Sequence, residues 1–379
     1  MSARTSSGPG ILTRVFGSQW FVSVLAVLIA FVIGAVLIAL SGASVVDAYY
    51  AMFRGSIVDP NAANAVRMIK PLTDSLFYSI PLIISGLGLA LGFRAGLFNI
   101  GGKGQIIVGA LAAVWVGFAV NLPPVLHTLV ALLVAIVAGG LYAGIAGVLK
   151  AKTGANEVIV TIMLNSIATL GLGYVLAQKA WQVPGSNQPV TPKVADSAAL
   201  TRLLPAPFKL HVGFIVALVA LAFFWWLIER STLGFQIRAV GANAAAARTA
   251  GISVERITAI TMVLSGAFLG LAGANEALGT IGYVSRDVAG SIGFDAITVA
   301  LLGRNKTWGT FGAGLLFGAF KAGGYTMQAK GVPIDMILIL QSVIVLLIAA
   351  PALVRWLFRL PDVRALAAQT RKGNADEHK

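Results

Sequence analysis

The 379-residue chain contains no cysteine and only three histidines. No disulfide framework can form, and thiolate metal sites and cysteine nucleophiles are excluded. His127, His211 and His378 are too few and too scattered for a histidine-rich metal site. Charge is scarce too, at 11% of residues. That is under half of the ~25% typical of a soluble domain, so most of the chain cannot face water. A nucleotide-binding P-loop needs Gly, four residues, then Gly-Lys-Ser/Thr. The nearest imitation is Gly102-Lys103, but Gly104 follows it and Leu97 occupies the first glycine position. His-Glu-x-x-His and Gly-x-Ser-x-Gly are also missing. An integral membrane enzyme therefore has no visible nucleophile or metal constellation. A pump built on this chain must draw its energy from an ion gradient or from another subunit.

What the chain does have is apolar sequence: 58% of residues, with a mean hydropathy of +0.87. Runs of this length and character read as transmembrane helices. They fall at 20–41, 74–93, 104–121, 125–149, 156–178, 211–228, 257–277, 288–303, 307–328 and 334–358. The eighth is short and glycine-rich. The first is too long for a signal-peptide core and lacks a clear cleavage site, so it reads as an uncleaved helix. The fold class expected is all-α integral membrane, with about ten transmembrane helices. Segment 1–19 precedes the membrane domain 20–358, and the tail 359–379 follows it.

The net charge of +14 first suggests nucleic acid. With both termini placed inside, Lys and Arg favour the cytoplasmic side about two to one, which is the positive-inside bias. The orientation expected is N-in, C-in, and the partner is a lipid bilayer rather than nucleic acid. Two halves of five spans, about 20–178 and 211–358, are joined by an outer proline-containing loop, 179–210. An odd number of spans per half makes any duplication an inverted one. Each half carries a glycine-broken segment, Arg94 to Gln105 and Leu278 to Gly303. Such pairs point to a translocation site, although ordinary loops between tightly packed helices would look the same.

The sharpest local feature is Gly241-Ala-Asn243-Ala-Ala-Ala-Ala247-Arg248-Thr-Ala-Gly251, within the cytoplasmic loop 229–256. Asn243 suits an N-cap, the alanines favour helix, Arg248 complements the C-terminal dipole, and Gly251 suits a left-handed stop. An isolated two-turn helix is unstable in water. It is either a docking helix or a capped linker, and the residues alone leave both open. Polar groups inside spans default to a functional reading. Asn99, Asn165 and Asp295 are expected to face a cavity. Glu157 reads as a cap or a partner for Lys150 or Lys152, and Lys321 as a snorkelling cation. No chain of acids and histidines runs through the spans, which weakens a proton-driven secondary transporter. Small-residue pairs Gly88/Gly92, Gly140/Gly144, Gly266/Gly270 and Gly314/Gly318 fit close helix packing.

Four stretches carry a family resemblance. They are Gly96-Leu-Phe-Asn-Ile-Gly-Gly-Lys-Gly-Gln105; Gly154-Ala-Asn-Glu-Val-Ile-Val-Thr-Ile-Met-Leu-Asn165; Arg238-Ala-Val-Gly-Ala-Asn243 through Gly251-Ile; and Gly293-Phe-Asp-Ala-Ile-Thr-Val-Ala-Leu-Leu-Gly303. Over roughly 70–330 the chain resembles permease subunits of bacterial ATP-binding-cassette (ABC) importers, in the ribose, branched-chain amino acid and nucleoside branch. It is most similar to the nucleoside type. The resemblance implies a multi-pass protein of the bacterial cytoplasmic membrane. It also implies a second related permease, one or two ATPase subunits docked on the loop at Gly241, Asn243, Ala247, Arg248 and Gly251, and an extracytoplasmic substrate-binding lipoprotein. A nucleoside or similar small polar solute would cross by alternating access, with riboflavin or a simple sugar as the alternative. Phe98, Asn99, Gln105, Asn165 and Asp295 are the pathway candidates, an aromatic for the base and polar groups for the rest. The chain departs from the family at Lys103, where an acid is usual, and at Ala242, Ala244 and Ala245, which replace Glu, Pro and Glu.

Overall fold

The computed structural model describes residues 19–347 apart from 187, 330 and seven positions between 334 and 345. All but the last residue of the expected segment 1–19, the tail 359–379 and most of the tenth span, 334–358, lie outside the described residues. Two compact units are present, one formed by residues up to 50 and from 327 onward, the other by 51–326.

In the first unit, α1 runs from Gln19 to Leu40, and α2, Val45–Ser56, begins there. The Tyr49 hydroxyl donates to the Phe31 carbonyl, and the two rings meet edge to face at 5.4 Å.

The second unit holds the main bundle. Its elements are α3 (Ala65–Arg94), α4 (Gly102–Ala119), α5 (Leu126–Thr153), α6 (Glu157–Ala177), α7 (Gly213–Arg230), α8 (Thr232–Ala242), α9 (Ala244–Thr249), α10 (Val254–Asn275), α11 (Ile292–Leu302) and α12 (Thr307–Gln328). Helix α10 continues through a wider turn, Glu276–Ile281. Among the described residues six helices are long and apolar enough to cross a membrane: α3, α4, α5, α6, α7, and α10 with its continuation. They match six of the ten spans read from the sequence. The eighth, 288–303, folds instead as turns followed by the 11-residue α11. At ~1.5 Å per residue α11 reaches only about half of a ~30 Å hydrocarbon core. Helices α2 and α8 were not expected as separate elements.

Helix α10 sits at the centre, against α5, α4 and α3. Glycine makes this possible. A methyl group at Gly270 would fall on the Ala135 carbonyl oxygen, and one at Gly266 on the carbonyl of Gly139. The Gly266/Gly270 pair is therefore the α5–α10 seam, where backbones touch and dispersion contacts are densest. Gly314 and Gly318 seat α12 against Ile83 and Ser79 of α3 in the same way. At the periphery, α5 exposes Leu129, Leu133, Val137, Leu141 and Ile145, an i,i+4 apolar stripe. A stripe of that kind marks a lipid or protein contact.

The loop 179–210 is not a slack connector. Its backbone joins the α10 continuation and the turn after it, through Leu200 N–H to Leu278 O (3.1 Å) and Thr191 N–H to Val284 O (3.0 Å). His127 is wholly buried beneath it, its ring nitrogens 2.9 Å from Ser197 Oγ and 3.0 Å from Val116 O.

Candidate functional site

Ser231 starts the α8–α9 hairpin. Its hydroxyl accepts from Gly234 N–H at 2.9 Å and donates to Leu227 O at 2.6 Å, which turns the chain sharply out of α7. Asn243 then ends α8 and caps α9, its Oδ1 accepting from Ala246 N–H at 3.0 Å. At the far end Gly251 takes φ +83°, and Ile252 N–H reaches back to Ala247 O at 3.0 Å. The capped helix read from the sequence forms, as Ala244–Thr249. Ala247 is its buried residue, while Ala244, Ala245 and Arg248 face outward. Arg248 pairs with Glu255 at 2.5 Å, both largely exposed.

Helices α8 and α9 border an apolar groove of about 540 Å³, lined by Phe235, Ala239, Ala242, Ala246, Ala250 and Ile252 among others. Phe235 is 61% exposed on its rim. An exposed apolar groove with an aromatic on its rim fits a protein partner. The hairpin is also tied to the bundle. Gly241 lies flat on the C-terminal end of α3, where any side-chain carbon would overlap the Arg94 carbonyl oxygen. Arg94 Nε donates to Asn305 O at 2.8 Å, in the turn between α11 and α12. Glu229 faces Arg94 at 4.0 Å and Arg238 at 3.5 Å. Sequence reasoning placed Arg238 in this loop but missed Arg94, Glu229 and Asn305 as parts of the site. The only local signal was Ser231 before a glycine-bearing run.

Four of the five pathway candidates come together around the start of α4. Asn99 and Gln105 form a reciprocal amide pair, with Nδ2 to Oε1 and Nε2 to Oδ1 both 3.0 Å. Asn99 also donates to Ser265 Oγ at 3.0 Å and accepts from Gly101 N–H at 2.9 Å. Both are 1% exposed, so here they satisfy one another rather than open space. Asn165 accepts from Gly104 N–H and donates to Ile100 O, each at 2.8 Å. Thr161 accepts from Ile100 N–H at 3.3 Å, and Glu157 from Phe98 N–H at 3.5 Å. Residues 157, 161 and 165 share one face of α6 by their i,i+4 spacing, and that face grips the extended segment before α4. Lys150 completes the grip, 2.7 Å from Glu157. Phe98 is partly exposed and meets Phe93 in a tilted ring contact at 4.9 Å.

Asp295 lies on α11, bonded to Ser291 Oγ at 2.7 Å and paired with Lys321 Nζ at 3.2 Å. Lys321, read as a snorkelling cation, therefore has a partner inside the bundle. The two glycine-broken segments do meet: a side-chain carbon at Gly293 would come within 2.5 Å of Lys103 N, and Gly102 abuts the Gly293 carbonyl. Among the described residues no group of three or more His, Asp or Glu could hold a metal ion.

Residues 72–349 match the family described as the branched-chain amino acid transport system / permease component. The chain is 39% identical over 349 residues to the guanosine ABC transporter permease of Bacillus subtilis (strain 168), covering 89% of this chain and 95% of that one. It is 35% identical to a glucose ABC transporter permease of Haloferax volcanii, covering 85% of each chain. It is 30% identical to a nucleoside ABC transporter permease of Lactococcus lactis subsp. cremoris, covering 92% of this chain and 94% of that one. No solved structure matches.

Proposed function

The chain belongs to the branched-chain amino acid transport system permease family, and from that premise we propose that it carries a nucleoside across a bacterial cytoplasmic membrane. It is the multi-pass permease subunit of an ABC importer, and the relatives named for guanosine and nucleosides favour that substrate class. The glucose permease among its relatives favours a sugar as the second reading.

The observation that carries the mechanism is the seating of Gly241 on the Arg94 carbonyl. A separate ATPase subunit, holding ATP and Mg, docks in the α8–α9 groove on the cytoplasmic side. Movement of that hairpin reaches the end of α3 without an intervening side chain. Through Arg94 and Asn305 it also reaches the α11–α12 turn. There α11 meets the start of α4, so the hinge-like Gly102/Gly293 contact shifts with it and alternates access between the two faces. A second permease of the same family completes the pathway, and an extracytoplasmic lipoprotein delivers the solute.

Uptake tests this reading. The permease is co-purified with its ATPase and sister subunit, reconstituted, and given radiolabelled guanosine or glucose with the binding protein present. We expect ATP-dependent guanosine uptake and no uptake under an ion gradient alone. Uptake without the ATPase would establish an ion-coupled transporter instead.

A further inference from the structure

Helix α3 has 30 residues, or ~45 Å at 1.5 Å per residue. A ~30 Å hydrocarbon core accommodates about two thirds of it. Its C-terminal end is fixed beside the hairpin, so the excess lies at its N-terminal end. That end is also where Arg67, Lys70 and Asp74 interrupt the apolar sequence. Here α3, the end of α12, the stretch from Arg54 to Asp59 and residues Pro207 and Lys209 line a partly open cavity of about 780 Å³, remote from the hairpin.

The cavity carries an excess of positive charge. Arg54 and Lys70 are matched by Asp59 and Asp74. Among the described residues, Arg67 and Lys209 form no ion pair, yet both line the cavity. One further group is unspent. Asp74 Oδ1 is buried and accepts no hydrogen bond, although Oδ2 holds Lys70. A buried acceptor without a donor costs about 1–3 kcal/mol in general. Tyr78 and Tyr325, with rings 5.4 Å apart, stand in the wall.

We propose that this cavity binds a phosphate ester that carries a free hydroxyl on its alcohol, with the headgroup of phosphatidylglycerol as its source. The phosphate lies between Arg67 and Lys209. Asp74 lines the cavity, and rotation of its carboxylate turns the buried Oδ1 toward the ligand, where the glycerol hydroxyl donates to it and supplies the missing donor. A soluble ester such as glycerol 3-phosphate presents the same chemistry. Only the side of the membrane rests on the importer reading, because the cavity lies at the end of α3 opposite the ATPase hairpin. Lipid binding is measured without ATP or transported solute, so its failure is separate from failure of that reading.

The test is native mass spectrometry of the intact detergent-solubilised complex, offered equimolar phosphatidylglycerol and phosphatidylcholine. Two cationic contacts predict a preference for phosphatidylglycerol of about thirty-fold. Arg67→Ala with Lys209→Ala should abolish that preference. Lys152→Ala with Lys306→Ala, which removes equal charge near the other end, should leave it intact. Asp74→Ala should erase discrimination between phosphatidylglycerol and phosphatidylmethanol, an equally charged lipid without the hydroxyls. Binding of glycerol 3-phosphate that needs Arg67 and Lys209, with no lipid preference, would assign the site to a soluble ester and overturn the lipid source. Absence of both, or a preference that survives the Arg67 and Lys209 double variant, would overturn the proposal.

Discussion

The two ends of α3 are built on opposite rules. At the C-terminal end, backbone lies on backbone where Gly241 meets the Arg94 carbonyl, and the Arg94 side chain extends the contact to the Asn305 carbonyl. At the N-terminal end, charged side chains hold the walls of an open cavity apart. The first arrangement suits the proposed transmission of displacement, because no side chain separates Gly241 from the end of α3. The second accommodates a ligand, because long side chains can move at little cost. One helix thus joins a mechanical contact to a chemical one, and the rigid α5–α10 seam beside it supplies the frame against which it moves.

Three substitutions probe this contrast, beginning with the frame. Gly270→Val places a branched side chain on the Ala135 carbonyl. Overpacking of this kind costs about 3 kcal/mol, and the yield of folded, monodisperse protein on size-exclusion chromatography should collapse. Normal yield would show that the seam can part. Gly251→Val acts at the transmitting end. The position has φ +83° with open space around it, so the cost is backbone strain alone, about 1–2 kcal/mol. Insertion and yield should remain, while solute moved per ATP hydrolysed falls several-fold. Gly251→Asn should recover most of it, since Asn tolerates the left-handed region. Equal loss in both variants would mean that side-chain bulk, not strain, matters there. The smallest effect is expected for Arg248→Ala. Its ion pair with Glu255 is exposed and such pairs contribute little, so the thermal midpoint should not move. A measurable drop would reveal a structural role for the pair.

What the sequence made legible follows from how local each signal is. Asn243 and Gly251 mark α9 correctly because capping is decided within a few residues. The six long apolar helices were readable for the same reason. Helix α8 was not, because Gly234 and Gly241 within its eleven residues weaken the local helix signal. The start of α3 was placed too late, at 74 rather than Ala65, because Arg67, Lys70 and Asp74 break the apolar run. Those same charges form the cavity, so the error falls on a candidate site. Asn99, Gln105 and Asn165 were recognisable as costly polar groups, but their mutual bonding was not, since Asn165 reaches across 61 residues to Gly104. Residues 288–303 had the composition of a span, yet Gly290 at φ +43° and the turns around it leave room only for the short α11.

The central claim is that force passes from the α8–α9 hairpin to α3 through Gly241. It is tested most directly by the ratio of guanosine transported to ATP hydrolysed in proteoliposomes containing the whole complex, for wild type and for Gly241→Val. A valine there must lift α8 away from the Arg94 carbonyl. The account predicts that the variant assembles with its ATPase and hydrolyses ATP while the ratio falls at least about ten-fold, a loss equivalent to about 1.4 kcal/mol or more of coupling. A wild-type ratio in a correctly assembled Gly241→Val complex would contradict it.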